Sequence, residues 1–193
     1  MKSVTLHTLG CKLNYSETST LAKQFENKGM KLKNFGEESD IFVLNTCSVT
    51  DNADKECRQI VRSVLRKNSE TYVIVTGCYA QLQPDEIAGI EGVDLILGSK
   101  EKLRLFEYLQ NVELENISCI FKETKPKIFV SELGREDDEI KGAFSADTDS
   151  RTRAFLKIQD GCDYGCSFCT IPLARGVSRS LPLIEVVENA KKI

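Results

Sequence analysis

Three of the chain's eight cysteines, Cys162, Cys166 and Cys169, lie within one short segment. Their C-x3-C-x2-C spacing lets a single loop wrap around a small inorganic centre, and thiolates are the usual ligands of iron–sulfur clusters. Three ligands on a four-iron cluster leave one iron open to bind and activate a small molecule. A zinc site with a distant fourth ligand is one alternative, and chance placement in a loop is another. Zinc loops usually combine C-x2-C with a second such pair, which this sequence lacks, so the spacing favours iron and sulfur.

Three more cysteines, Cys11, Cys47 and Cys78, each follow the end of a predicted strand. The predicted strands are residues 4–9, 41–45 and 72–76. If these strands run parallel, their carboxyl ends share one edge of the sheet, and ligands bind outside that edge. The pattern therefore predicts that the three thiols converge on one site. Spacing alone leaves a chance arrangement open.

The remaining two cysteines have structural interpretations. Cys57 lies on the apolar stripe of a helix predicted at 51–67, which indicates a small core residue. Cys119 lies in a short apolar run and is predicted to be a strand residue that binds no metal.

Strands alternate with helices through the first half of the chain, the pattern of a parallel α/β sheet. Further helices are predicted at 16–28, 84–90 and 100–110, the last capped by Ser99, and short strands at 30–35 and 94–97. We expect an N-terminal three-layer domain over residues 1–130, with one or two added strands in 113–130. A charged linker is predicted at 131–150, before a second unit at 151–193. That unit is predicted to contain a strand at 154–159, the cysteine loop and a helix that begins after Ser180.

Composition narrows the function classes. The sequence has 41% hydrophobic residues, enough for a packed core, and 26 basic against 29 acidic residues. This balance lacks the basic footprint of a nucleic-acid-binding domain. No apolar run approaches the ~20 residues of a membrane helix, and the strand-like start does not resemble a secretory signal. We therefore expect a cytoplasmic protein without disulfides.

The cysteine segments resemble those of a known family. The compact motif, with Phe168 before its last cysteine, resembles the signature of the radical S-adenosylmethionine superfamily. The segments 8–14, 45–50 and 77–81 resemble the three cysteine motifs of the methylthiotransferase N-terminal domain. Residues 151–162 and 171–176 resemble the same family's radical domain. Within the family, the first two cysteine segments are most similar to the MtaB-like branch.

This resemblance implies two 4Fe–4S clusters, one on Cys11, Cys47 and Cys78 and one on the compact motif. In the family, the compact motif's cluster binds S-adenosylmethionine, with the aromatic at the position of Phe168 against the adenine, and generates a deoxyadenosyl radical. The other cluster holds the sulfur to be inserted, and a second S-adenosylmethionine gives the methyl group. No catalytic residue beyond the cluster ligands is implied.

The MtaB-like branch adds the methylthio group to C2 of N6-threonylcarbamoyladenosine beside the anticodon of tRNA. Sister branches modify isopentenyladenosine in tRNA or an aspartate of a ribosomal protein. The implied partners are tRNA and an electron donor such as a flavodoxin or ferredoxin. The implied fold of residues 151–193 is the first β/α unit of a radical S-adenosylmethionine barrel.

The chain departs from the family in length. A β/α barrel takes ~200 residues or more, far more than follow residue 150. The sequence contains no adjacent glycines, so the family's glycine pair is missing, as is its RNA-binding module. We therefore expect the front part of a longer enzyme that does not catalyse methylthiolation alone. Two alternatives stay open: a non-catalytic iron–sulfur redox module, and a flavodoxin-like nucleotide-binding domain, although no G-x-G-x-x-G or P-loop is present.

A few other residues carry predictions. His7 is expected to be structural, on the strand face opposite its apolar neighbours. Asn14 is expected to cap a helix, since Glu17 follows three residues later. Gly10 and Gly77 are expected to permit tight turns.

Two arginines precede the second unit. Arg151 and Arg153 are expected to lie on a solvated face, with phosphate contact in a longer enzyme as the alternative.

Overall fold

The computed structural model describes residues 2–47, 53–109, 125–133, 142–145 and 154–192. Cys119, Arg151 and Arg153 lie outside these residues, so the predictions made for them stay predictions.

A six-stranded parallel sheet forms the centre of the molecule. Its strands are β1 (Ser3–Thr8), β2 (Lys31–Lys33), β3 (Ile41–Thr46), β4 (Tyr72–Gly77), β5 (Leu95–Leu97) and β6 (Lys127–Phe129). Their order across the sheet is β2-β1-β3-β4-β5-β6, and every neighbouring pair is parallel. The predicted α/β class is confirmed.

The helices are α1 (Lys12–Asn27), α2 (Ala53–Lys67), α3 (Cys78–Leu82), α4 (Pro84–Ala88), a 3₁₀ turn (Lys102–Arg104), α5 (Leu105–Tyr108), α6 (Ile171–Arg175) and α7 (Leu183–Ala190). Of these, α1 and α2 pack on opposite faces of the sheet. Successive side chains of a strand point to opposite faces of the sheet. In β3, Val43 therefore lies in the core beneath α1 and Leu44 in the core beneath α2. Cys57 is fully buried in the second of these cores, as predicted. Two apolar layers on one sheet make the predicted three-layer domain.

Two helix predictions differ from the structure. Helix α1 begins at Lys12, four residues earlier than its apolar periodicity suggested. The helix predicted at 100–110 is shorter, a 3₁₀ turn followed by α5, and Ser99 does not cap it. The Ser99 hydroxyl instead donates to the Ala174 carbonyl at 2.7 Å, so it contacts α6 and not the start of this helix.

The predicted strand at 154–159 is two short strands, β8 (Phe155–Leu156) and β9 (Gln159–Asp160). Each pairs antiparallel with a local partner, β8 with β7 (Phe144–Ser145) and β9 with β10 (Arg179–Ser180). The described residues hold no further parallel strand beside them, so the backbone groups pair locally. The predicted barrel unit is not seen in this part of the structure and stays a prediction.

Residues 142–145, within the predicted linker, pack on the N-terminal domain. Ala143 is fully buried in the core beneath α1. The Phe144 amide donates to the Thr20 hydroxyl at 3.1 Å. The chain after residue 141 thus returns to α1 before it reaches the second cysteine group.

Among the residues that the structure describes, no helix is long and apolar enough to cross a membrane.

Candidate metal centre

The edge of the sheet that carries the first three cysteines contains its topological switch point. The chain passes from β1 outward to β2 and then back across to β3, so the switch point lies between β1 and β3. Ligands of doubly wound sheets bind beyond the carboxyl ends of the strands at such a point. Cys11 follows β1 and Cys47 follows β3, so the two thiols flank it.

The three cysteines differ in exposure. Cys11 is exposed at the N-terminal boundary of α1, Cys47 is half-buried, and Cys78 is buried as the first residue of α3. Thr46 pairs with Gly77 in the sheet register, and Cys47 and Cys78 are the next residues of their chains. The three cysteines thus follow strands that end at one edge of the sheet, and the convergence of their thiols on one site stays a prediction.

Two glycines allow the strand ends to approach closely. Gly10 has φ +97°, and a Cβ on it would lie 2.4 Å from Cys47 Cβ and 2.7 Å from Cys47 Sγ. Gly77 has φ +105°, and a Cβ on it would lie 2.2 Å from the Thr46 carbonyl oxygen. Both contacts exclude any side chain, which confirms the predicted tight turns. The backbone beside Cys11 thus lies directly against Cys47.

The electrostatics of Cys78 connect it to its neighbours. Burial raises the pKa of the Cys78 thiol, and the positive charges of Arg175 and Lys102 oppose that rise. Glu17 and Cys47 act in the same direction as burial. Cys78 therefore shares its surroundings both with Cys47 and with a set of buried charges.

The donor set fits an iron–sulfur centre. Thiolates bind soft metals and iron–sulfur clusters, and the close approach of Gly10 to Cys47 brings together the turns that carry two of the three thiols. Within the described ranges, no three His, Cys, Asp or Glu side chains are grouped as ligands of a single metal ion. The thiolate donors and their positions fit the centre, and ligation by the cysteines stays a prediction.

The second cysteine group lies on an open loop. Cys162 and Cys169 are half-buried, and Cys166 is exposed. The Cys169 amide donates to the Cys166 carbonyl at 3.1 Å, and the Cys162 amide donates to the Gly176 carbonyl at 3.1 Å. Phe168 is 90% exposed. Its contact with an adenine stays a prediction.

A buried cluster of charged side chains, which the sequence did not reveal, joins the two cysteine regions. We call it the charge cluster, and its members are Glu17, Lys102, Lys157, Asp160 and Arg175. Glu17 accepts from Lys102 at 2.7 Å, from Lys157 at 2.9 Å and from Arg175 at 3.0 Å. Asp160 accepts from Lys157 at 2.6 Å and from Arg175 at 3.0 Å. Glu17 is the carboxylate that all three cations share.

The ion pairs outweigh the cost of burial at both acids. Burial alone would raise the pKa of Glu17, but Lys102, Lys157 and Arg175 hold that pKa well below its usual range. The pKa of Asp160 is likewise lowered by Lys157 and Arg175 against the effect of burial. Both side chains are therefore ionised in the folded protein at neutral pH.

The prediction that Asn14 caps a helix is wrong. Helix α1 starts before it, with Cys11 at the capping position and no side-chain cap. The buried Asn14 amide group donates to the carbonyls of Leu9 at 3.1 Å and Thr46 at 3.0 Å. Its Oδ1 accepts from Arg175 Nη2 at 2.6 Å. Asn14 therefore joins the ends of β1 and β3 and connects them to the charge cluster, which leaves Glu17 free for ion pairing.

A cleft of about 460 Å³ opens beside Cys11 and includes Lys12 and Phe155 in its walls. His7 stacks on Phe35 at one side, with ring centroids 4.0 Å apart. Burial lowers the pKa of His7, while Glu56 opposes the effect. The stacked, half-buried ring agrees with the structural role predicted for this histidine.

The fold and the site together define a class: a doubly wound parallel α/β domain with three cysteines that follow strands at one edge of its sheet. Residues 3–98 match the family described as "Uncharacterized protein family UPF0004". That part of the chain belongs to this family, and the chain from end to end is similar to the MtaB methylthiotransferases, which confirms the resemblance predicted from the sequence.

Three relatives show the extent of this similarity. "Threonylcarbamoyladenosine tRNA methylthiotransferase MtaB" of Bacillus subtilis (strain 168) is 38% identical over 100% of this chain and 41% of its own length. The protein of the same name from Aquifex aeolicus (strain VF5) is 36% identical over 97% of this chain and 44% of its own length. A "tRNA-2-methylthio-N(6)-dimethylallyladenosine synthase" of Fusobacterium nucleatum is 27% identical over 100% of this chain and 42% of its own length. The chain thus spans less than half of these relatives.

Proposed function

We propose that the chain is the front part of a radical S-adenosylmethionine methylthiotransferase that modifies tRNA. Its substrate would be N6-threonylcarbamoyladenosine beside the anticodon, with the methylthio group added at C2. The observation that carries this proposal is the gathering of Cys11, Cys47 and Cys78 at the switch-point edge, in a chain similar along its whole length to proteins named for that activity.

Each cysteine triad has its own part in this proposal. Cys11, Cys47 and Cys78 would hold the 4Fe–4S cluster that supplies sulfur, and Cys162, Cys166 and Cys169 the cluster that binds S-adenosylmethionine. Bound there, the clusters and S-adenosylmethionine would supply the radical, the sulfur and the methyl group.

The chain's own residues prepare these sites. Asn14 holds the ends of β1 and β3 at a fixed separation through the Leu9 and Thr46 carbonyls. Burial around Cys78 keeps water from that side of the first triad. Phe168, on the exposed loop, would pack against the adenine of S-adenosylmethionine.

The proposed partners follow from the same assignment. tRNA would bind mainly to parts of the enzyme beyond this chain, whose own charge balance is slightly acidic. A flavodoxin or ferredoxin would deliver electrons, and the setting would be the cytoplasm.

The first test counts iron after anaerobic reconstitution with iron and sulfide. We expect about eight irons in the wild type and about four in each variant that replaces one triad with alanine. Cys57→Ala is the matched control, since it removes a buried cysteine that we do not assign as a ligand. Iron loss from the first-triad variant alone would mean that the second loop needs the rest of the barrel to load. Stoichiometric zinc, or no iron, would contradict the proposal.

The second test addresses the substrate. The coding region, with any sequence that follows it, is expressed in a host that lacks its own methylthiotransferases, and the tRNA nucleosides are analysed by mass spectrometry. We expect a methylthio group on threonylcarbamoyladenosine. The same group on dimethylallyladenosine would move the assignment to the sister branch. Loaded clusters without either product would favour a redox module.

A further inference from the structure

The charge cluster carries more positive than negative charge. Two carboxylates, Glu17 and Asp160, face three cations, Lys102, Lys157 and Arg175. All five side chains are buried, and an uncompensated buried charge is costly. Without Arg175 the remaining four would balance. The five side chains together therefore carry one net positive charge.

A nearby acid, Glu101, is also buried. Its carboxylate accepts from the Ser131 hydroxyl at 2.5 Å, on the side of β6. Arg175 and Lys102 act electrostatically on Cys78 of the first cysteine triad.

Arg175 reaches that triad by two routes. Its Nη2 donates to Asn14, and Asn14 in turn donates to the carbonyls at the ends of β1 and β3, next to Cys11 and Cys47. Helix α6, which ends at Arg175, packs against α3, which begins at Cys78. The guanidinium is therefore linked to the turns of Cys11 and Cys47 through Asn14, and its helix packs against the helix of Cys78.

The same arginine fixes both ends of the second cysteine loop. Its Nη1 donates to Asp160 at 3.0 Å, and Asp160 also accepts from the Gly161 amide at 2.9 Å. At the other end, Gly176 follows Arg175 and accepts from the Cys162 amide. Arg175 thus connects the two ends of the loop that carries the second triad.

We propose that Arg175 is a positioning residue that presents positive charge to an anionic centre on Cys11, Cys47 and Cys78 and holds the second cysteine loop beside it. The inference rests on the proposed function in one respect, the iron–sulfur centre, which thiolate ligands make anionic. Reduction adds further negative charge to such a centre. A fixed positive charge close behind it therefore favours the reduced state.

The charge is tested by the midpoint potential of the reconstituted first-triad cluster. The background is the full chain with Cys162, Cys166 and Cys169 replaced by alanine, so that one cluster forms. We expect Arg175→Met to lower the equilibrium constant for reduction roughly tenfold, a downward shift of about 59 mV for a one-electron couple. Arg175→Lys, which keeps the charge, should retain most of the wild-type potential.

The matched control is Arg104→Met, which removes an exposed guanidinium paired with Glu107. It should leave the potential unchanged. If the Arg175→Met chain loads its cluster and keeps the wild-type potential, the charge assignment is wrong. It is also wrong if Arg175→Lys and Arg175→Met shift the potential equally, because lost packing would then explain both.

The second readout needs no iron. Amide hydrogen exchange is measured on the metal-free full chain, and Arg175→Met and Arg175→Lys should both speed exchange in residues 159–176 at least tenfold, because neither can bridge Asn14, Glu17 and Asp160 together. The amides of β3 and β4 should keep their protection, which shows that the sheet has folded. Unchanged exchange at 159–176 would overturn the positioning role.

The two failures are distinguishable. A wild-type chain that takes up no iron on the first triad contradicts the proposed function, and with it the charge assignment. The exchange measurement still decides whether Arg175 holds the loop.

Discussion

At the scale of single residues, Glu17 is the side chain that holds the charge cluster together. It is 2% exposed and shared by three cations from three separate segments. The sequence placed it in the first turns of a helix but gave no sign of its partners, because they lie 85, 140 and 158 residues away. Local patterns report on neighbours in the chain, so a long-range ion cluster of this kind leaves no periodic signal.

Replacing Glu17 with glutamine should destabilise the protein strongly. Lys102 would then lose the acid it pairs with, and Lys157 and Arg175 would keep only their pairs with Asp160. Breaking a buried pair costs about 3–5 kcal/mol. Urea unfolding measures the loss. Glu107→Gln is the control, because it removes an acid from the exposed pair with Arg104, and it should change stability little. Equal effects of the two substitutions would contradict the central role of Glu17.

Stability should also fall on acidification. The folded-state pKa values of Glu17 and Asp160 lie below those of the unfolded chain, so the unfolded state binds more protons as the pH drops. Their contribution is complete above the unfolded values near pH 4 and is lost as the pH falls through the folded ones. Urea unfolding at several pH values between 3 and 7 should show this decline, with a shallower slope for Glu17→Gln. A parallel slope in that variant would assign the pH dependence to other groups.

At the scale of elements, the sequence predicted the sheet better than the connections. Short apolar runs such as 41–45 and 72–76 are typical of a strand that is covered on both faces. Both are strands in the structure. Helix α3 was missed because its five residues are too few for a periodicity. The sequence also predicted which thiols share an edge, since that follows from parallel topology. It did not predict Asn14 as the link between strand ends, because helix starts shift by a few residues without changing the apolar stripe.

The turn between β1 and α1 should be intolerant of any side chain. In Gly10→Ala the new Cβ would overlap Cys47 and strain a left-handed backbone, so we expect destabilisation and loss of first-triad iron. Gly29→Ala is the matched control: its φ is +77° but no atom lies within 4 Å of the added Cβ, so it should cost only about 1–2 kcal/mol of backbone strain. Reconstitution and urea unfolding of both variants provide the comparison. Full iron uptake by Gly10→Ala would show that the close approach is not needed for the site.

At the scale of the whole molecule, apolar side chains collect on the outside of the last segment. Leu183 and Ile184 on α7 are 77% and 75% exposed, and Phe168 and Leu173 are also exposed. The relatives are more than twice as long as the part of them that this chain matches. An apolar face of this kind favours association with another surface.

Replacing Leu183 and Ile184 with lysine should therefore reduce self-association of the 193-residue chain. The expected result in sedimentation velocity is a smaller average mass at high concentration, with an unchanged circular dichroism spectrum. Glu188→Lys is the control, because it makes the same change in net charge on the same helix without removing apolar surface. If it reduces association equally, charge and not the apolar face is responsible.

The long span of the charge cluster also has a consequence for the order of assembly. During synthesis, Glu17 and Lys102 emerge long before Lys157 and Arg175, and domains generally fold from the N-terminus as they appear. The sheet can form with Glu17 paired to Lys102 alone, and the segment with the second triad can dock only when its own cations arrive. We therefore expect the turns of Cys11, Cys47 and Cys78 to form first, which would give that site an interval to receive its metal before the segment with the second triad docks.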